Sequence, residues 1–148
     1  MKDILAKQIS LQVMFRLDPE YKFPNPIDYA SAGKQGKNPH TVGEVYDFIS
    51  LMKFCLDEEL TELLEALGDG SRKIHKPWTR EYEYLRSRPF SVDPKVVEEA
   101  IDALCFMMNI LLTVGVTPET VESEYQKVWE KNLRRIEAKL DSTGSARS

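Results

Sequence analysis

Ala103-Leu104-Cys105-Phe106-Met107-Met108-Asn109-Ile110-Leu111-Leu112-Thr113-Val114 runs through several helical turns without a single charge. A helix that is apolar on nearly every side has almost no face to give to water, so it must be surrounded by neighbours. Asp93-Pro94 upstream supplies an N-cap and a first-turn proline, and Gly115 supplies the stop. This segment is therefore read as the central helix of a helical assembly.

Working outward, Thr41 and Glu44 match a capping box, in which each side chain satisfies a free backbone N–H at the other's end. They open a helix that reaches about Leu67, where Gly68-Asp69-Gly70 stops it. Residues 2 to 17 carry Ile4, Leu5, Ile9, Leu11, Val13, Met14 and Leu17 at mixed three-and-four spacing, a first helix that also bears Gln8 and Gln12. Thr117-Pro118-Glu119 starts a last helix carrying Val121, Tyr125, Val128 or Trp129, Asn132, Ile136 and Leu140. A short helix is expected after Thr79. No alternating strand pattern and no repeat occur, so the expected fold is all-α, a four- to five-helix bundle.

Between the first two helices, Pro19, Pro24, Pro26, Gly33, Gly36 and Pro39 make residues 18–40 irregular, and a loop of that length reads as a lid or arm. The expected organisation is a single domain over residues 1–140, with 141–148 as a flexible tail.

The chain of 148 residues, 42% of them hydrophobic, is enough for one core. No uncharged apolar stretch of about 18 residues and no signal-like N-terminus are seen, which points to a cytoplasmic protein without a membrane partner. A net charge of −4 argues against a sequence-independent grip on nucleic acid. Cys55 and Cys105 lie inside apolar helical patterns, with no Cys-x-x-Cys or Cys/His spacing, and read as reduced core thiols.

Two places break the apolar logic. On the second helix the stripe Phe48, Met52, Cys55, Glu59, Glu62, Ala66 carries two carboxylates on an otherwise apolar ribbon. On the third, Glu99 and Asp102 sit one turn apart on a line continuing through Phe106, Asn109 and Thr113. Inward carboxylates on two helices are costly unless neutralised, and a hard divalent cation is the neutraliser that oxygen ligands suit best, Mg²⁺ with Mn²⁺ as substitute. A ferritin-like iron site needs Glu-x-x-His, and His40 and His75 fit no such motif. The alternative is a structural ion pair, with Lys53, Lys95 or Arg135 as partner.

Phosphates on such a metal need cations. Lys131, Asn132 and Arg135 cluster within about one turn of the last helix and suit phosphate oxygens. The competing reading is a solvated basic face of Lys127, Lys131, Arg134 and Arg135 near a helix C-terminus.

These residues resemble a known family. Glu58-Glu59-Leu60-Thr61-Glu62 is similar to the E-E-x-x-E motif, and Glu99-Ala100-Ile101-Asp102 to the E-x-x-D motif, of the all-α NTP pyrophosphatases, which include MazG-like enzymes and dimeric dUTPases. Lys76-Pro77-Trp78 resembles the Lys-x-Trp element of the dUTPase and dCTPase branch, and Lys131-Asn132-Leu133-Arg134-Arg135 the closing K-N-x-x-R element. The likeness covers roughly residues 42–137; residues 18–40 have no counterpart, and the acidic motifs stand farther apart than in MazG-like enzymes.

The resemblance implies a bundle whose helices pair between subunits, as a homodimer or homotetramer. It implies Mg²⁺ on Glu59, Glu62, Glu99 and Asp102, with Glu58 as a further ligand or the group orienting water. It implies phosphate or sugar contacts from Lys76, Trp78, Lys131, Asn132 and Arg135, and base contacts from Gln8 or Gln12, with Asn109 beside them. The implied reaction cuts a nucleoside triphosphate between the α and β phosphates, dUTP or dCTP favoured, with a purine deoxynucleotide as the alternative. Tyr125, Trp129, Met107 and Met108 read either as apolar surface for subunit pairing or as plain core, in equal measure. From another class stands a non-catalytic helical partner-binding protein, which predicts that the acids are exposed and dispensable.

Overall fold

The computed structural model describes residues 1–20, 25–31 and 40–144. Among them are six α-helices, a 3-10 turn and no strand. The order is α1 (Lys2–Leu17), α2 (Pro26–Ser31), α3 (Val42–Leu67), the 3-10 turn Arg72–His75, α4 (Glu81–Ser87), α5 (Pro94–Thr113) and α6 (Val121–Thr143). The chain is all-α, as the periodicity requires. No helix of the described residues is long and apolar enough to cross a membrane.

Local chemistry sets the ends. Thr41 Oγ1 accepts from the Glu44 backbone N–H at 3.1 Å, but only half of the capping box forms, because the Glu44 carboxylate goes to His40 Nδ1 at 2.7 Å. At the far end of α3 the chain turns through Asp69 at φ 58° and Gly70 at φ 75°. Gly68 is fixed by space, since a Cβ there would meet Ile74 Cβ at 2.9 Å. Asp93 caps α5 by accepting from the Lys95 N–H at 2.7 Å, with Pro94 at the first helical position.

The principal pairing is α3 against α5, and α1 and α2 also pack on α5. Leu5 of α1, Met108 and Leu112 of α5 and Val121 of α6 form one apolar cluster, flanked by Ile9, Leu104, Cys105 and Val116. The uncharged run 103–114 is thus central because three elements need its different sides. Burying a leucine as fully as Leu5 contributes about 2 kcal/mol.

Three expectations are revised or settled. Residues 18–40 are not wholly irregular: Asn25 Oδ1 accepts from the Ile27 N–H and Nδ2 donates to the Gln12 carbonyl at 2.7 Å, seating the start of α2 against α1. Residues 21–24 and 32–39 of the expected lid or arm, and 145–148 of the expected tail, lie outside the described residues. The last helix begins at Val121, after a hydrogen-bonded turn in which the Thr120 N–H reaches the Thr117 carbonyl, and it runs to Thr143 before Gly144 takes φ 64°. Met108, open to either reading, is buried in the core, whereas Met107, Tyr125 and Trp129 are exposed.

Only Val121 of α6 is buried. Tyr125, Val128, Trp129, Leu133, Ile136 and Leu140 are all exposed, so among the described residues α6 carries an apolar face without cover.

Candidate functional site

The α3–α5 pairing brings the two acidic motifs together. Glu59, Glu62 and Glu99 each present a carboxylate oxygen, all within 4.8 Å of one another. Glu99 is buried, Glu59 half-buried and Glu62 exposed, so the expected inward placement holds for Glu59 and Glu99 while Glu62 forms the solvent rim. The reason is the helix crossing, which leaves α3 covered at Met52 and open toward its C-terminal turns. Asp102 stands a turn beyond Glu99, half-buried, and Glu58 is exposed on α3; neither belongs to the tight triad.

The electrostatics follow from crowding. Burial pushes the Glu59 carboxyl above its usual range, and the charges of Glu62, Asp102 and Glu99 raise it further. Glu99 has one cationic partner, Lys95 Nζ at 2.7 Å. Lys53, one of the other candidate partners, instead pairs with Asp57 at 3.1 Å. Among the described residues, a structural ion pair therefore accounts for one carboxylate and leaves the other two of the triad without a cation. Three convergent carboxylate oxygens at this spacing, with no nitrogen or sulfur donor among them, fit a hard divalent cation such as Mg²⁺ or Mn²⁺.

Next to the triad lies a cavity of about 400 Å³, lined by Asp102 together with Gln8, Gln12, Phe15, Met52, Phe106 and Asn109 among others. Gln8, Gln12 and Asn109 are buried polar groups on what should be apolar faces. Gln8 Nε2 donates to Asn109 Oδ1 at 2.8 Å, and the Asn109 amide lies 3.9 Å from Met52 Sδ. Amides with both donors and acceptors, flanked by two phenylalanine rings, can read a flat polar heterocycle. Cys55 and Cys105 line the same cavity as free, half-buried thiols, and burial pushes both thiol pKa values up, so they stay protonated.

Among the described residues, the basic elements form no ion pair with the triad. Lys76 and Trp78, the latter 80% exposed, sit on the connection between the 3-10 turn and α4. Lys131, Asn132 and Arg135 are exposed on α6. Among the described residues, none of Lys76, Lys131 and Arg135 has a carboxylate within ion-pair distance. The solvated-face reading of α6 is thus what a single copy displays.

Two supporting residues gave little sign of themselves in the sequence. Asn25 is buried and anchors α2 to α1, and the Asn-Pro pair that marks such a turn was its only signal. Arg88 ties the chain before α5 to the end of α3, donating to the Leu67 carbonyl at 3.2 Å and to the Asp69 carboxylate. That link spans the two helices that carry the acids, and no local pattern predicts it.

Comparison with known proteins gives two distant relatives from Enterobacteria phage T4. A dCTP pyrophosphatase is 27% identical over 106 residues, which is 64% of this chain and 62% of that protein. A DNA replication protein is 27% identical over 111 residues, 68% of this chain and 28% of that protein. The chain thus spans less than two thirds of the length of either. No family model and no solved structure matches.

Proposed function

We propose that this protein is a divalent-metal-dependent nucleoside triphosphate pyrophosphohydrolase acting on a pyrimidine deoxynucleotide, dCTP or dUTP. The observation that carries the reading is the carboxylate triad opening beside an amide-lined cavity. The distant likeness to a dCTP pyrophosphatase supports both the reaction and the substrate class. In the reaction, the oxygen of a water forms a bond to the α-phosphorus as the bond to the bridging oxygen of the β-phosphate breaks. The water's proton passes to solvent, and a monophosphate and pyrophosphate leave.

Bound Mg²⁺ or Mn²⁺ would neutralise phosphate charge and lower the pKa of water. Glu59, Glu62 and Glu99 would hold it, with Asp102 completing the set on the cavity side. Glu58, exposed at the rim, would orient the attacking water. Gln8, Gln12 and Asn109 would read the base between Phe15 and Phe106.

We further propose that the site is completed by a second copy of the chain in a homodimer or homotetramer. The exposed apolar face of α6 supports this, because pairing would bury Tyr125, Trp129 and Leu133 and could carry Lys131, Asn132 and Arg135 to a neighbour's carboxylates. Lys76 and Trp78 would reach phosphate and sugar in the same way. The partner-binding alternative requires dispensable, exposed acids, and the burial of Glu99 speaks against it.

The test is pyrophosphate release from each common ribonucleoside and deoxynucleoside triphosphate, with Mg²⁺ and with chelator. Metal-dependent release ranked dCTP or dUTP first is expected, and purine nucleotides ranked first would replace the substrate. Glu62→Gln should abolish turnover with the fold intact. No release from any triphosphate overturns the enzyme.

A further inference from the structure

Lys95 is the one cation that touches the triad among the described residues. Its ammonium lies 2.7 Å from Glu99 Oε1 and 3.7 Å from Glu98 Oε1, while the Glu99 side chain is only 8% exposed and that of Lys95 is 61% exposed. The ion pair thus joins a nearly fixed carboxylate to a head that water reaches easily. Three other cations near the ends of α3 and α5 are committed elsewhere, Arg72 to Glu65, Arg88 to Asp69 and Lys73 to Glu81.

This pair and a metal compete for the same oxygen. A divalent cation on Glu99 would sit about 2 Å from the carboxylate oxygen. With Lys95 still at its present distance, ammonium and dication would be within about 5 Å of each other, and the three positive charges would repel strongly. Glu99 is held by its burial, whereas Lys95 has a flexible four-carbon stem one turn nearer the start of α5. The lysine must therefore be the group that leaves. Its stem keeps it at the rim of the cluster, where the phosphate oxygens of a metal-bound nucleotide would supply new negative charge.

We infer that Lys95 is an exchangeable cation of the acidic cluster, neutralising Glu99 while no metal is held and turning outward to bind a substrate phosphate oxygen once a divalent cation takes Glu99. The inference rests on the proposed metal and nucleotide site, and it adds to that site a phosphate ligand outside both acidic motifs. A lysine that merely braces one turn of α5 would compete with the metal but leave binding of the nucleotide unchanged.

The experiment compares the full-length protein with Lys95→Gln and Lys95→Arg, each checked for helix content by circular dichroism. Mn²⁺ binding is measured without nucleotide, by the loss of the free-ion paramagnetic resonance signal. Binding of α,β-imido-dCTP, which cannot be cleaved, is then measured calorimetrically at saturating Mn²⁺. Lys95→Gln removes a competing charge, so Mn²⁺ should bind about three- to tenfold more tightly. The same variant should bind the nucleotide analogue about tenfold or more weakly, with Lys95→Arg recovering most of that loss. Opposite signs in the two measurements are what exchange requires. Unchanged or weaker Mn²⁺ binding by Lys95→Gln, or unchanged analogue binding, overturns the inference while leaving the metal site standing. Absence of Mn²⁺ binding by the unsubstituted protein overturns both.

Discussion

Glu59→Gln should act in opposite directions on the metal-free and metal-loaded protein. Glu59 faces Glu62 and Glu99 with carboxylate oxygens within 4.8 Å, and among the described residues no cation pairs with it. Two unit charges at that separation repel by about 3.5 kcal/mol at an effective dielectric of about 20, and by about 0.9 kcal/mol in bulk water. Glu59 is half-buried and Glu62 is exposed, so screening puts the value near the lower figure. The amide also donates to a neighbouring carboxylate. In chelator the variant should therefore be more stable by about 1 kcal/mol, which raises the melting temperature by about 3 °C for a chain of this size.

With metal the order reverses. A ligand saturating the folded state at about a hundred times its dissociation constant stabilises by about 2.7 kcal/mol, and a tenfold loss of affinity removes about 1.4 kcal/mol of that. The assay is a pair of thermal melts followed by circular dichroism, one in chelator and one in Mg²⁺. A lower melting temperature for the variant in chelator would show that Glu59 is a stabilising carboxylate and sink the crowding argument. An undiminished Mg²⁺ shift would remove it from the metal ligands.

Gln8→Leu should leave Asn109 Oδ1 without its donor and cost about 1–3 kcal/mol in a denaturant titration; a neutral effect would mean that the amide pair is not structural. Leu5→Ala, at a position with 0% exposure, should cost about 2–5 kcal/mol with an unchanged denaturant slope, and a loss well below that would mean the core collapses around the gap. His40, whose hydrogen bonds to the Glu44 carboxylate and the Asp28 carbonyl raise its pKa, should stabilise the α2–α3 junction fully below the ordinary histidine value of 6.5. That contribution should fade as pH rises through the higher folded value, and a proton resonance titration of His40 at or below 6.5 would contradict it.

Much of this was legible in the residues. The uncharged run 103–114 demanded a surrounded helix, and α5 is surrounded by α1, α2 and α3. The interruptions at Glu59 and at Glu99 marked the site because an inward carboxylate is costly whatever the fold. Gln8 and Gln12 were singled out only by the family resemblance, and the structure places them with Asn109 in the lining of one cavity. Thr41, Asp93 and Gly115 set boundaries through short-range hydrogen bonds, which depend on residues a turn away at most, whereas Gly68 also answers to Ile74 on the following 3-10 turn.

Other features depended on approaches between distant segments. The crossing of α3 and α5 left Glu62 at the rim and kept Glu58 and Asp102 outside the triad, which a stripe on a single helix cannot reveal. Glu44 matched a reciprocal cap, yet its carboxylate went to His40, a contest settled by a side chain from the preceding segment. Lys95 was one of three candidate partners for the acids, and only the packed structure chose it. The amphipathic pattern of α6 was legible, but the described residues leave its apolar side uncovered. Periodicity along a sequence states that a face needs a partner; which surface meets it is decided by the three-dimensional arrangement.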